Sequence, residues 1–364
     1  FSVLRNLEIA SGNLVLNTAL VTIRGDITNN GAYTDDNSSG GARMAGSAQQ
    51  LISGTGSFGR LVLDNVSGAT VSNDITVQND IVLTLGILDI NSHQLTLGQN
   101  SQIFGAPFSA SKMIRSDGVA SSRGLLKFFP AAGQIFTFPV GSSAKYTPAT
   151  FNITASTNVG SIRVNPIDAS HPSISDPLNA LGYYWQIESL GLTGFDAELT
   201  LRYLAEDVSG DESSYVAARL VLPGSSWDKA PPGAATDNVN EAAHTVRFLY
   251  TGSSSINGDY TAGNDMAIPD EVPTYRTIIN GNWSDRNIWE PVGASPPCPT
   301  GGPVGNNVII NHIVTANINY ISALTTLINS ELRIPAGSFG HNLGNVDGDG
   351  KLYVEGGNLP AGTY

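Results

Sequence analysis

Cysteine is almost missing from this chain of 364 residues, where Cys298 stands alone. That excludes an internal disulfide framework and any zinc site built on cysteines. Charge is scarce as well, at 13% of residues against a usual figure of about 25%. The cations are fewest: 18 Lys plus Arg face 31 Asp plus Glu, leaving a formal charge of -13. Such a balance repels phosphate backbones and anionic headgroups, so nucleic acid is not an expected partner. Lysine is limited to Lys112, Lys127, Lys145, Lys229 and Lys351. That argues against a lyase facing an acidic polysaccharide with basic residues. No run of about 18 apolar residues occurs, so no membrane insertion is expected. Phe1, Ser2, Val3, Leu4 and Arg5 lack the basic-then-apolar layout of a signal peptide. The chain opens without Met on a strand-like segment, as a piece of a longer precursor would.

Common catalytic signatures are missing too: no G-x-S-x-G elbow, phosphate loop or H-E-x-x-H is present. His93, His171, His244, His312 and His341 are scattered without metal-ligand spacing and read as structural. What is there is glycine, 40 residues, and 41% apolar residues. A chain this apolar and this weakly charged buries a core rather than staying disordered, and it must cover its surface with Ser, Thr, Asn and Gly. Its length suits two to three domains at about 150 residues each.

The first hundred residues alternate apolar and polar at period two, as in Leu61, Val62 and Leu63, Ile75, Thr76 and Val77, and Leu95, Thr96 and Leu97. These runs predict short strands. The inward parity of Ile81, Leu83 and Leu85 resets at Gly86, and that of Leu88 and Ile90 resets between Asn91 and His93, so each reset predicts a corner. Residues 21–27 recur 54 positions later as residues 75–81, with Val21, Ile23, Asp26 and Ile27 matched by Ile75, Val77, Asp80 and Ile81. This reads as two related units in tandem. Short strands, frequent corners and no intervening amphipathic helix predict a parallel β-solenoid, with an antiparallel sandwich of meanders as the competing architecture.

From about Phe136 the strands become longer and aromatic: residues 136–141, 151–154, 162–164, 183–187, 199–203, 216–222 and 246–250. Seven such strands with acidic or Pro-rich connections, such as residues 230–233, predict an immunoglobulin-like β-sandwich. Residues 267–273 carry Pro269 and Pro273 around Asp270 and Glu271 and read as a stiff, exposed linker. Beyond it, Trp283 and Trp289 precede a Pro/Gly-rich loop and a new series of apolar runs from Val308. The expectation is an all-β chain: solenoid repeats over 1–130, a sandwich over 131–268 and the start of a second solenoid over 269–364. The last coil ends without a polar cap, so more chain is expected to follow.

Several motifs carry a resemblance. Residues 44–54, including Gln49, Gln50 and Leu51, are followed by residues 58–63 and by Leu83, Thr84, Leu85, Gly86, Ile87 and Leu88. Together with residues 136–141, Tyr146, Thr147 and Pro148, residues 207–212, 281–289 and 340–354, and Leu359, Pro360, Ala361 and Gly362, they resemble the repeats of large secreted surface proteins of Bacteroidota. The resemblance implies export by the type IX secretion system, a place on the surface of a Gram-negative bacterium, and an adhesin-like or gliding-associated role. The C-terminal sorting domain of such proteins is absent before Tyr364.

Residues 54–59 satisfy G-x-G-x-x-G, but a strand follows rather than a helix, so they read as a turn between coils. Residues 345–350 place Asp347 and Asp349 at the spacing that opens a calcium loop, yet the twelfth position is Gly356 rather than Glu. An EF-hand is excluded, and these two carboxylates are the weak calcium candidates; no other cofactor is expected. Glu206, Asp207, Asp211 and Glu212 read as a solvated acidic turn. Trp283 and Trp289 read as a lid on the end of the second solenoid, with sugar stacking as the alternative. Trp185 and Trp227 read as sandwich core.

The leading expectation is a non-catalytic structural or adhesive module of a large extracellular protein. Its expected contacts are other domains of the same long chain, surface glycans and neighbouring surface proteins. The rivals are a polysaccharide-acting enzyme on a β-helix scaffold and a self-assembling fibre subunit.

Overall fold

The computed structural model describes residues 3–221, 227–230, 238–253, 255–293, 295–356 and 359–364. Phe1, Leu222 and residues 231–233 of the expected Pro-rich connection lie outside the described residues. The chain is all-β and begins as a parallel β-solenoid with three faces. Leu20–Ile23, Gly41–Met44, Leu61–Asp64 and Ile81–Leu85 stack on the first face. Ile27–Asn29, Gln50–Ser53, Ala69–Val71 and Leu88–Asn91 stack on the second. Ala32–Asp35, Ser57–Phe58, Ile75–Val77 and Gln94–Leu97 stack on the third. One coil is the step from Leu61 to its partner Ile81.

The strands follow from the alternation. Ile75 and Val77 are buried while Thr76 between them is not, and the same holds for Leu95, Leu97 and Thr96. Each inward Ile or Leu contributes roughly 1.5–3 kcal/mol by leaving water, so two per strand offset much of the roughly 1–2 kcal/mol per residue that ordering the strand costs. The predicted corners are present. Gly86 turns with φ +85°, and a Cβ there would lie 1.9 Å from the Asn65 carbonyl oxygen of the preceding coil, so only glycine fits. Asn91 turns with φ +50° and donates through Nδ2 to Thr70 Oγ1 and the Val71 carbonyl one coil below. Residues 54–59 are likewise a corner, with Gly54 at φ +95° leading into Ser57–Phe58.

The tandem match at 54 residues has a different meaning from the one its spacing suggested. Val21 and Ile23 lie on the first face, whereas Ile75 and Val77 lie on the third; Ile27 lies on the second, whereas Ile81 lies on the first. The matched segments are two strands joined across a corner, but at different edges of the prism. The similarity marks a shared corner chemistry and not the coil period.

The third face does not stop with the solenoid. Gly124–Phe129 pairs in parallel with Gln94–Leu97 on one side and antiparallel with Gly160–Ile167 on the other. The sheet then continues through Tyr184–Leu190, Gly258–Asn264, Tyr215–Val221 and Trp227–Ala230 to eleven strands. A second, five-stranded antiparallel sheet carries Gln134–Phe138, Ala149–Ala155, Phe195–Arg202, Thr245–Ser253 and Asn238–Asn240. Phe136, Phe138, Phe151, Leu199 and Phe248 from that sheet join Trp185, Ile187 and Tyr260 from the long one in a single core, which runs on into the solenoid rows of Ile75, Leu95 and Leu125. Between the two sheets, Val140–Ser142 returns to the second solenoid face beside Ile114–Ser116.

Lys127 sits where this core changes character. It occupies the inward row below Val77 and Leu97 and is fully buried. Its ammonium donates to the carbonyls of Gly98, Gln99 and Phe128 at 2.7–2.8 Å and lies over the rings of Phe129 and Phe136. Burial pushes its pKa down to about 8.

After residue 273 the chain forms a second parallel stack with two sheets. Trp289–Val292, Thr274–Thr277, Val304–Ile310, Ser322–Ile328, Asn342–Asp347 and Ala361–Thr363 form one, with Trp289–Val292 as an antiparallel edge strand; Gly281–Asn282, Ile313–Thr315, Glu331–Ile334 and Lys351–Val354 form the other. Its own core includes Trp283, Ile310, Val314, Leu332 and the thiol of Cys298. Trp283 and Trp289 pack edge to face at 5.2 Å at its entrance, both buried, with Trp289 Nε1 donating to the Trp283 carbonyl. Their burial removes the sugar-stacking alternative for this pair.

The linker departs from expectation. Ala267, Ile268 and Val272 are buried, and only Asp270 and Glu271 between them face solvent. The apolar residues pack with Ile174, Val216, Leu220 and Trp227 on the outer side of the long sheet, where Leu324 of the second stack meets them. Ser173 Oγ donates to the Gly305 carbonyl, and a Cβ on Gly305 would lie 2.6 Å from Pro172. Trp227 is thus core of this junction, while Trp185 is core between the antiparallel sheets.

Candidate functional site

Stacked coils place equivalent corners one above another about 4.8 Å apart. Between the second and third faces of the first solenoid, this stacking builds an open groove of about 740 Å³. Thr55 lines it from one coil, Asn73, Asp74 and Thr76 from the next, Ser92 and His93 from the third, and Ser121 and Arg123 from the fourth. All eight side chains are polar. They are held by corner geometry: Asn73 Oδ1 accepts from the Gly54 amide at 3.3 Å, Asp74 Oδ1 from the Gln94 amide at 2.9 Å, and the Arg123 amide donates to the Ser92 carbonyl at 3.1 Å.

One ion pair crosses the groove. Arg123 Nη1 donates to Asp74 Oδ2 across two coils, and His93 Nδ1 lies 3.9 Å from Asp74 Oδ1. Both partners are about half exposed, so the pair contributes little to stability. Its effect is to fix a carboxylate and a guanidinium side by side. Among the described residues that line the groove, Asp74 is the one carboxylate.

A second cluster lies at the join of the solenoid and the antiparallel sheets. Lys145 Nζ bridges Asp168 Oδ1 at 2.6 Å and Asp207 Oδ1 at 2.5 Å. Burial holds the Asp207 carboxyl above its usual range despite the ammonium. On Lys145 burial acts to lower the pKa, and the two carboxylates more than reverse it. The neighbouring Tyr183 hydroxyl accepts from Thr147 Oγ1 at 2.7 Å and shares a hydrogen bond with Ser142 Oγ at 2.8 Å. Lys145 pairs with both carboxylates, while Asp207 Oδ2 is buried without a hydrogen-bond partner among the described residues; the cluster reads as a pin between elements.

The sequence candidates fare differently. Asp347 and Asp349 are both exposed on one corner, where Asp347 Oδ1 accepts from the Gly348 amide at 2.7 Å. Among the described residues no group of three or more His, Cys, Asp or Glu is placed to hold a metal ion. The acidic turn is not a solvated loop throughout: Asp207 is buried, and Glu212 accepts from the Tyr203 hydroxyl and from His244 Nδ1 at 3.2 Å. Only Glu206 and Asp211 remain in solvent, because the turn folds back onto Lys145 and Tyr203. His171 is held between the rings of Tyr184 and Trp227, 3.0 Å from Asp259.

The sequence reading took His93 as structural and passed over Asp74 and Arg123, since no local motif joins positions so far apart. The available signal was the coil step, which brings 73–74, 92–93 and 121–123 to one edge once the strands are in register. No protein-family model, no curated protein and no solved structure matches this chain.

Proposed function

We propose that the chain is a non-catalytic structural and adhesive module of a large extracellular surface protein. It extends from the surface of a Gram-negative bacterium and presents a binding face to glycans or neighbouring proteins. The observation that carries this reading is the eleven-stranded sheet that runs from the third solenoid face into the antiparallel region without a break. A continuous ladder of backbone hydrogen bonds resists bending between the two units, as a spacer that must hold a surface outward requires. In this reading the two antiparallel sheets form an immunoglobulin-like sandwich that stiffens the chain between its solenoids.

The low cation count supports binding over catalysis. The test is direct. The purified chain is incubated with soluble neutral and acidic polysaccharides, and the products are sized by chromatography. Unchanged chain lengths, together with retention of the protein on a polysaccharide-coated or cell-derived surface, are expected; depolymerisation would overturn the proposal.

A further inference from the structure

We infer that the corner groove of the first solenoid is a saccharide site that takes a neutral, polyhydroxylated chain lying along the stack. The inference rests on the adhesive reading and names the ligand and residues within it. It starts from the hydrogen bonding along the stacked coils. On the second face Thr28 Oγ1 meets Ser53 Oγ at 3.0 Å, and Asn91 Nδ2 donates to Thr70 Oγ1 at 2.9 Å. In the groove, the hydroxyls of Thr55, Thr76, Ser92 and Ser121 and the Asn73 amide nitrogen have no protein partner among the described residues. Unpaired donors and acceptors converge on one concave surface.

Their chemistry selects the ligand. Asp74 accepts one protein donor on each oxygen and keeps lone pairs for ligand hydroxyls. Arg123 engages Asp74 through Nη1 alone and keeps donors on Nη2 and Nε. A fixed carboxylate beside a guanidinium and an amide complements a vicinal diol, whose two hydroxyls each donate and accept. Serine and threonine hydroxyls at coil spacing extend the same match along a glycan. A peptide side chain would find no apolar pocket here. A phosphate or uronate chain would meet only Arg123 and His93 beside Asp74, on a protein of charge -13.

The experiment titrates the full chain with neutral gluco- and manno-configured oligosaccharides and with uronate oligosaccharides, followed by calorimetry and amide chemical shifts. A neutral oligosaccharide is expected to bind, with little dependence on salt, and to perturb residues 55, 73–76, 92–93 and 121–123. Arg123→Ala and Asn73→Ala should each weaken binding about tenfold or more. Thr28→Ala, on the second face, should leave it unchanged. Thermal melting of each variant confirms the fold, and Asn73→Ala keeps the test open if Arg123→Ala melts early. No binding by any neutral oligosaccharide, or binding that both groove variants leave intact, overturns the inference. Binding confined to uronates and lost in salt overturns it as well. If the protein still adheres to a glycan surface after both groove substitutions, the adhesive reading stands and the groove does not.

Discussion

The two solenoids of this chain are joined to the antiparallel sheets in opposite ways. The first shares a sheet with them: Gly124–Phe129 belongs to both units, and the apolar rows pass from one to the other in a single core. The second keeps a core of its own and meets them through side chains, around Trp227, Ile268 and Leu324, and through the Ser173 to Gly305 hydrogen bond. A shared ladder couples two units by many backbone hydrogen bonds that break together. A side-chain junction leaves each side able to unfold by itself. The first solenoid and the antiparallel sheets should therefore melt as one unit, and the second solenoid as another.

Removing a keystone from the second solenoid separates these behaviours most strongly. Trp283 is fully buried and donates through Nε1 to the Pro303 carbonyl at 3.0 Å. Trp283→Ala should cost about 3–5 kcal/mol in that unit. Calorimetry should show one transition falling and the other unmoved; a joint fall of both would mean that the units are coupled as tightly as the first pair.

A smaller effect is expected at the shared core. Lys127→Met keeps an apolar stem but leaves the carbonyls of Gly98, Gln99 and Phe128 without their donor, at a cost of about 1–3 kcal/mol in the first transition alone. The same lysine gives a pH signature. Its folded pKa of about 8 lies below the 10.5 of an unperturbed lysine, so between these values the unfolded state binds more protons. Stability of the first unit should rise with pH across that window, and Lys127→Met should abolish the rise. Denaturant titrations at several pH values measure it.

The least disruptive change is Ser173→Ala. It removes one hydrogen bond across the side-chain junction, worth about 1 kcal/mol. Both transitions should hold their midpoints within a few degrees, while relaxation measurements show the second solenoid tumbling more independently. Unaltered relaxation would place the stiffness of that junction in its apolar cluster alone.

Much of this arrangement was legible in the residues. Alternation at Ile75, Thr76 and Val77 predicted a strand with two buried positions, and the parity resets at Gly86 and Asn91 predicted corners that the backbone makes with positive φ. Other readings failed where partners come from afar. The tandem match of residues 21–27 with 75–81 crosses from one pair of faces to another, because every edge of the prism is turned by similar residues. Asp207 and Ile268 were read from their polar and Pro-rich neighbours, but Lys145 and the outer side of the long sheet bury them. The groove was illegible for the same reason, since Asp74 and Arg123 meet only after intervening coils have stacked.

By itself the sequence determined strands, corners and a weakly charged polar surface, because period-two burial and the need for glycine or asparagine at positive φ are decided within a few residues. Only the tertiary structure decided which corners lie above one another, and with that the groove, the buried ammonium of Lys127 and the two kinds of junction. Those depend on backbone pairing between coils, whose register no local stretch of chain encodes.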